Sequence, residues 1–196
     1  YIGFDLQITG RAAHAGIEPE KGMSAVLIAS EIITRLPQGR LDDQTTFNVG
    51  KTEGGLVRNA VPGSASVVGE FRSTNLEAID DLRARIDTVL TEVRGMFPDA
   101  TIEDDLHTDF EMFALTDDDP ALRRVKTALQ SLGMEPTMSH SGGGSDANIF
   151  RQKGIGAVVV GMADTNMHTL QEFVTISDLV DAAHLVETML RPGGWD

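Results

Sequence analysis

The sequence predicts an α+β protein. Residues 1–111 read as a four-stranded antiparallel sheet with two helices on one face, and residues 112–196 as part of an α/β layer. Three observations carry that expectation. Apolar and polar residues alternate with the period of a strand in short stretches of the first half. Longer stretches between them repeat apolar residues at helical spacing. After Phe113 the alternation stops, and helical runs with one continuous apolar run take over.

Residues 2–10 form the first predicted strand, with Phe4, Leu6 and Ile8 on one face and Asp5, Gln7 and Thr9 on the other. Residues 22–36 follow as a helix, with Met23, Val26, Leu27, Ile33 and Leu36 at helical spacing and Pro37-Gln38-Gly39 as its stop. Thr45–Lys51 is a second strand, and Gly54-Gly55 and Pro62-Gly63 bound the connection that leaves it. Ser64–Ser73 is a third strand, placing Ala65, Val67, Gly69 and Phe71 on one face. Asn75 suits an N-cap, and Ile79, Leu82, Ile86, Val89, Val93 and Met96 line a helix of about six turns ended by Pro98. Ala100–Leu106 is the fourth strand. The order strand-helix-strand-strand-helix-strand is the ferredoxin-like split βαβ arrangement, which names no function.

In the second half, Asp117-Asp118-Asp119-Pro120 opens a helix with Leu122, Val125, Leu129 and Leu132 as its inner face and Gly133 as its stop. Ser141-Gly142-Gly143-Gly144-Ser145-Asp146 is a glycine-rich loop before a short helix, Ala147–Gln152. Ala157–Val160 reads as a buried parallel strand, and a polar loop spans 163–172. The last helix opens with Thr175 and Asp178 as a capping box and carries Leu179, Ala183, Val186 and Leu190 on one side.

Composition narrows the function. At 41% hydrophobic content, 196 residues suffice for a real core. A net charge of −14 repels phosphate backbones and anionic membranes, so neither nucleic acid nor membrane is expected as a partner. No uncharged run is long enough to span a bilayer, no signal peptide is recognisable, and the expected location is cytoplasmic. Without cysteine there is no disulfide framework and no thiolate metal site. The chain begins at Tyr1 inside a strand, and so reads as a piece of a longer polypeptide.

Four places have the residue types for chemistry. His14 sits in a bend of small residues, Gly10 to Gly16, where an imidazole can exchange protons near neutral pH. Asn59 lies between two strands, in Gly54–Pro62. Arg72 stands at a strand end, suited to bidentate binding of a carboxylate. The fourth place combines the loop Ser141–Asp146 with Met167-His168-Thr169-Leu170-Gln171-Glu172. Taken singly, each has a structural explanation: an exposed turn histidine, a turn asparagine, an arginine paired with Glu70 or Glu77, a flexible cap that lacks the lysine of a P-loop. His107, His140 and His184 are read as structural.

Together these motifs resemble a family. Ala12-Ala13-His14-Ala15-Gly16 with Pro19-Glu20-x-Gly22-x-Ser24-Ala25 comes first, then Asn59 and Arg72. Ser141-Gly142-Gly143-Gly144-Ser145-Asp146-Ala147-Asn148 and His168-Thr169-x-x-Glu172 complete the set. In this order they resemble the cocatalytic-zinc peptidases that include peptidase T, glutamate carboxypeptidase and succinyl-diaminopimelate desuccinylase, and look most like peptidase T-like tripeptidases. The resemblance runs along essentially the whole chain.

It implies a dizinc metallopeptidase that hydrolyses a peptide or an acyl-amino acid amide. Residues 1–111 would be a ferredoxin-like lid that also forms a homodimer, and residues 112–196 the C-terminal part of the α/β catalytic domain. His14 would cross the dimer and steady the oxyanion of the partner's site. Asn59 would contact substrate, Arg72 would hold its carboxylate, and Gly143, Gly144 and Ser145 would line the pocket. His168 would be a zinc ligand, with Glu172 orienting nearby groups. The family's first half carries a His-x-Asp pair, a metal-bridging Asp and a Glu-Glu pair, none of which matches here. The chain alone is therefore expected to be inactive and to hold no dizinc centre tightly. Read without the resemblance, the residues also suit a non-catalytic dimerisation or small-ligand-binding module. An RNA-binding reading fits poorly with one Trp, one Tyr and a charge of −14.

Overall fold

The alternation of the first strand dictates its burial. β1 (Ile2–Thr9) turns Phe4, Leu6 and Ile8 inward, each at most 1% exposed. β1 lies between β6 (Ser64–Arg72) and β7 (Thr101–Thr108), antiparallel to both, with Thr9 opposite Ser64 and Thr101 and with Ile2 opposite Phe71 and Thr108. β4 (Thr46–Gly54) pairs with the far side of β6, its register shifting between Val49 and Lys51. A two-residue β3 (Gly39–Arg40) completes that edge, and the order is β3-β4-β6-β1-β7. The four long strands are those that the alternation predicts. β3 is an addition, too short for a periodicity to reveal. The computed structural model describes residues 1–161 and 164–191, in two compact units, Tyr1–Phe110 and Glu111–Asp196.

α1 (Ala25–Arg35) and α2 (Leu76–Met96) pack on one face of the first unit's sheet. Asn75 caps α2 by accepting the Glu77 N–H at 3.0 Å. α2 buries Ile79, Leu82, Ile86, Val89 and Val93 as its spacing predicts and Leu90 besides, while the predicted Met96 is 48% exposed. α1 corrects the expected stripe. Its buried residues are Ala25, Ile28, Ala29 and Ile32, and Leu27 is 55% exposed. Ser24 sets this phase by capping the helix, accepting the Leu27 N–H at 3.2 Å. Large apolar residues stand on both sides of α1, Val26 and Leu27 against Ile28 and Ile32, so spacing alone leaves its phase open, and the side that also carries Ala25 and Ala29 is the one buried. In the core, the Phe47 ring lies between those of Phe4 and Phe71, with centroids 5.4 and 5.7 Å away.

The second unit holds α3 (Pro120–Ser131), α4 (Asp146–Gln152) and α5 (Ile176–Leu190). Asp119 caps α3, its carboxylate accepting the Ala121 and Leu122 N–H groups at 2.9 and 3.1 Å. α3 buries Leu122, Val125 and Ala128. The predicted Leu129 and Leu132 are half-buried. Gly133 ends the run at φ 75°, the left-handed conformation glycine adopts without strain, and the Met134 N–H donates to the Leu129 carbonyl at 2.9 Å. Thr175 caps α5 through the Asp178 N–H at 3.2 Å.

Two expectations for this unit fail. Ala157–Val160 forms no strand and Val159 is 55% exposed. A parallel ladder needs a neighbouring strand, and no strand lies beside this run among the described residues. α5 does not bury Leu179, Ala183, Val186 and Leu190, which are all exposed. Its one buried residue is Leu185, and the Arg124 guanidinium donates to the Met189 carbonyl at 2.9 Å, tying α3 to α5 on another side. Of the loop expected over 163–172, Ala163 lies outside the described residues. No helix among the described residues is long and apolar enough to cross a membrane.

Candidate functional site

The bend after β1 is held by backbone hydrogen bonds. Gly10 N–H donates to the Gly63 carbonyl at 3.0 Å, and Arg11 and Met23 exchange bonds of 2.9 and 2.8 Å. β2 (Ala13–His14) pairs with β5 (Ala60–Val61), His14 opposite Ala60, and the Ala15 N–H reaches the Asn59 carbonyl at 3.0 Å. This two-stranded ribbon is again too short for periodicity to predict, yet it brings His14 and Asn59 together, both exposed. Close approach explains two of the small residues. A Cβ on Gly10 would strike the Met23 carbonyl oxygen, and one on Gly22 would lie 2.8 Å from the Val61 side chain.

The His14 ring is oriented. Its Nδ1 accepts the Gly16 N–H at 3.2 Å. A neutral imidazole that accepts at Nδ1 carries its proton on Nε2, which is then the donor left for a ligand. Neighbouring residues expose apolar side chains, with Ile17 at 70%, Leu56 at 97% and Val57 at 61%.

Arg72 stands elsewhere. Its guanidinium meets Glu70 at 2.6 Å and lies 4.5 Å above the Tyr1 ring, which stacks on Phe110. Burial, with the hydrogen bond to Glu70, pushes the Tyr1 phenol up to about 12. Burial would raise the Glu70 carboxyl too, but hydrogen bonds from Arg72 and Tyr1 outweigh it and hold the group below its ordinary range. The bend joins the Ser64 end of β6 and Arg72 ends the same strand, roughly 26 Å away at about 3.3 Å per residue.

The remaining candidates lie in the second unit. Gly143 and Gly144 are exposed, and the Gly143 N–H donates to Ser141 Oγ at 3.1 Å. Ser145 precedes α4, its N–H donating to Asn148 Oδ1 at 3.1 Å, while Asn148 Nδ2 donates to the Glu111 carbonyl at 2.8 Å. Asn148, buried, therefore anchors the loop. The signal in the sequence that could have singled it out is the Ser-x-x-Asn spacing of a capping box. Arg151 meets Asp119 at 2.6 Å and, with the Leu122 N–H, pulls that carboxyl down to about 2.

His168 is exposed, with φ 64°, and its backbone N–H donates to Glu172 Oε2 at 2.8 Å. An imidazole suits zinc, but a catalytic zinc takes about three protein ligands. Among the described residues, the group of three potential ligands is Asp5, Asp105 and His107, not one at His168. The chain thus brings one imidazole to the place that the motif marks. A hollow of about 520 Å³ runs along α5 beside Leu179, Val186 and Leu190 and includes none of the candidate residues.

Comparison with known proteins adds family evidence. Residues 1–95 match the model of the peptidase dimerisation domain. The uncharacterized Bacillus subtilis protein YqjE is 34% identical over 188 residues, covering 94% of this chain and 49% of that protein. The crystal structure of aminopeptidase PepT from Bacillus cereus superposes with a TM-score of 0.70 at 31% identity, covering 96% of this chain and 50% of the other. That of a Staphylococcus aureus tripeptidase gives 0.75 at 28% identity, with coverages of 96% and 50%. The chain spans about half the length of these relatives.

Proposed function

The chain belongs to the M20 peptidase family through its peptidase dimerisation domain, and on that premise we propose that it is part of a dizinc peptidase of tripeptidase or aminopeptidase type. The first unit acts as lid and dimerisation domain, and the second as the C-terminal part of the catalytic domain. His168 supplies one metal ligand, and residues outside this chain supply the others. Zinc held there would supply Lewis-acid chemistry, making a water a stronger nucleophile. His14, its Nδ1 occupied by Gly16, donates from Nε2 to the carbonyl oxygen as negative charge develops there. Asn59 contacts substrate beside it. Arg72, preorganised by Glu70 and Tyr1, takes the substrate's carboxylate, and Gly143, Gly144 and Ser145 line the pocket. The chain by itself hydrolyses nothing and binds no pair of zinc ions tightly.

One observation carries the homodimer. The bend that carries His14 joins the Ser64 end of β6, and Arg72 stands at the other end, roughly 26 Å away along the strand. An extended tripeptide spans at most about 11 Å. Both residues serve one substrate only if they come from two copies of the chain, which supports a site closed by the partner's bend.

The test uses the full-length peptidase. His14→Ala should lower turnover by about 10²–10³-fold with little change in KM, because an oxyanion donor acts on charge present only in the transition state. Arg72→Ala should mainly raise KM. Mixed with a His168→Ala subunit, His14→Ala should form heterodimers with about half of the wild-type activity. One site then combines intact metals with the partner's intact His14. Heterodimers no more active than either parent would overturn the reading.

A further inference from the structure

The outward face of β1 and β7 carries side chains that the proposed reaction does not use. Asp5 of β1 stands opposite Asp105 of β7, and His107 follows on the same side of β7, opposite Gly3. From the sequence alone His107 reads as structural. In the fold, each of these three side chains offers a ligand atom, and the atoms lie within 4.8 Å of one another. Aspartates facing each other on neighbouring strands repel. Among the described residues no lysine or arginine pairs with either of them.

The imidazole is placed by the strand beside it. A Cβ on Gly3 would lie 2.6 Å from His107 Nε2, so the ring rests against the β1 backbone only because residue 3 has no side chain. His107 Nδ1 is buried and has no hydrogen-bond partner among the described residues. Asp105 Oδ2 lies 3.6 Å from it, too far for a hydrogen bond. Zinc bonded to nitrogen and oxygen at about 2.1 Å in a tetrahedron keeps its donor atoms about 3.4 Å apart. The separation is therefore that of two ligands of one ion. Nε2 faces Asp109 Oδ1 at 3.5 Å, which favours the proton on Nε2 and leaves the lone pair on Nδ1.

We propose that Asp5, Asp105 and His107 bind one divalent cation of the zinc class, through His107 Nδ1 and a carboxylate oxygen from each aspartate. One imidazole with two carboxylates is a donor set that zinc takes, with water as the fourth ligand. The cation cancels the repulsion between the facing aspartates and clamps the edge strand β7 to β1, which lies inside the sheet. The inference does not rest on the reading of His168.

The test titrates this chain with zinc chloride near neutral pH and follows the ring signals of its five histidines by NMR. His107 should shift first and saturate at one equivalent. Asp5→Asn and His107→Gln should each weaken that binding about tenfold or more, since even outer partners of a ligand are worth about 10–100-fold. Asp43→Asn, which removes the same charge from the exposed turn between β3 and β4, should bind as wild type does. Melting temperature supplies a second reading. Without zinc, Asp105→Asn should melt above wild type, because one of two facing carboxylates is gone. With saturating zinc it should melt below wild type, which the bound cation stabilises. A higher melting temperature under both conditions would overturn the proposal. So would five rings shifting together, or Asp5→Asn binding zinc like wild type.

Discussion

The two units use the same kind of amphipathic helix to different ends. In Tyr1–Phe110, α1 and α2 close over the sheet, and Phe4, Phe47, Phe71 and Val89 are essentially inaccessible. In Glu111–Asp196, the side of α5 with the clearest helical repeat carries Leu179, Val186 and Leu190 at 53%, 54% and 76% exposure. The first unit satisfies its own apolar pattern and the second does not. A repeat of apolar residues therefore records which side of a helix is suited to burial, and not whether the same chain covers it. The candidate chemistry follows the same division. His14 is oriented by a hydrogen-bonded bend, and His168 by a turn held on a carboxylate.

The sharpest way to break the comparison is to damage one core and watch the other. Phe4 is fully buried between Phe47 and the helices, so Phe4→Ala should destabilise the first unit by about 3–5 kcal/mol. Residue-resolved hydrogen exchange should show that loss in β1, β6 and β7, with protection in α3 unchanged. Equal loss in α3 would mean that the two units unfold as one.

What the sequence made legible follows from the same physics. The four long strands and α2 could be read because their alternation or spacing is repeated many times over. The pairs β2–β5 and β3–β4 could not, since two residues make no period. The stripe of α1 was displaced because large apolar residues lie on both of its sides, Val26 and Leu27 on one and Ile28 and Ile32 on the other, which leaves the phase open to spacing. His14 and Asn59 were recognised from motif order, yet their adjacency depends on ribbon register. The tie from Gly16 to Nδ1 depends on a side-chain rotamer that no pattern encodes. Arg72 was recognised too, and the length of strand between it and Ser64 was countable, though not that the His14 bend joins the Ser64 end. Asp119 and Arg151 meet across 32 positions, beyond any local signal.

Acid should separate the units next. The Asp119 carboxyl is held near 2 by Arg151 and by backbone N–H groups at the start of α3, against about 3.9 in an unfolded chain. A depressed carboxyl stabilises the fold above its unfolded pKa, and that contribution is lost as pH falls through the folded value. Protection in α3 and α4 should therefore decline between about pH 4 and pH 2. Asp117 and Glu187, also held low by Lys126 and Arg191, add to the decline. Asp119→Asn keeps a capping oxygen and removes the titrating group, so its decline should be shallower. An unchanged slope would show that Asp119 is not the group responsible.

The smallest effect is expected on the outer side of α5, and it decides whether the contrast between the units is real. Leu179 is already more than half exposed, so Leu179→Ala removes little buried surface and keeps a good helix former. The stability of the second unit should change by no more than about 0.5 kcal/mol, as for surface substitutions elsewhere. Leu185, six residues along the same helix, is 6% exposed, and Leu185→Ala should cost about 2–5 kcal/mol. Denaturant titrations of the two variants, followed at α3 and α5 amides, give the ratio directly. If Leu179→Ala costs as much as Leu185→Ala, the Leu179 side of α5 is covered in solution, and the second unit closes its core as fully as the first.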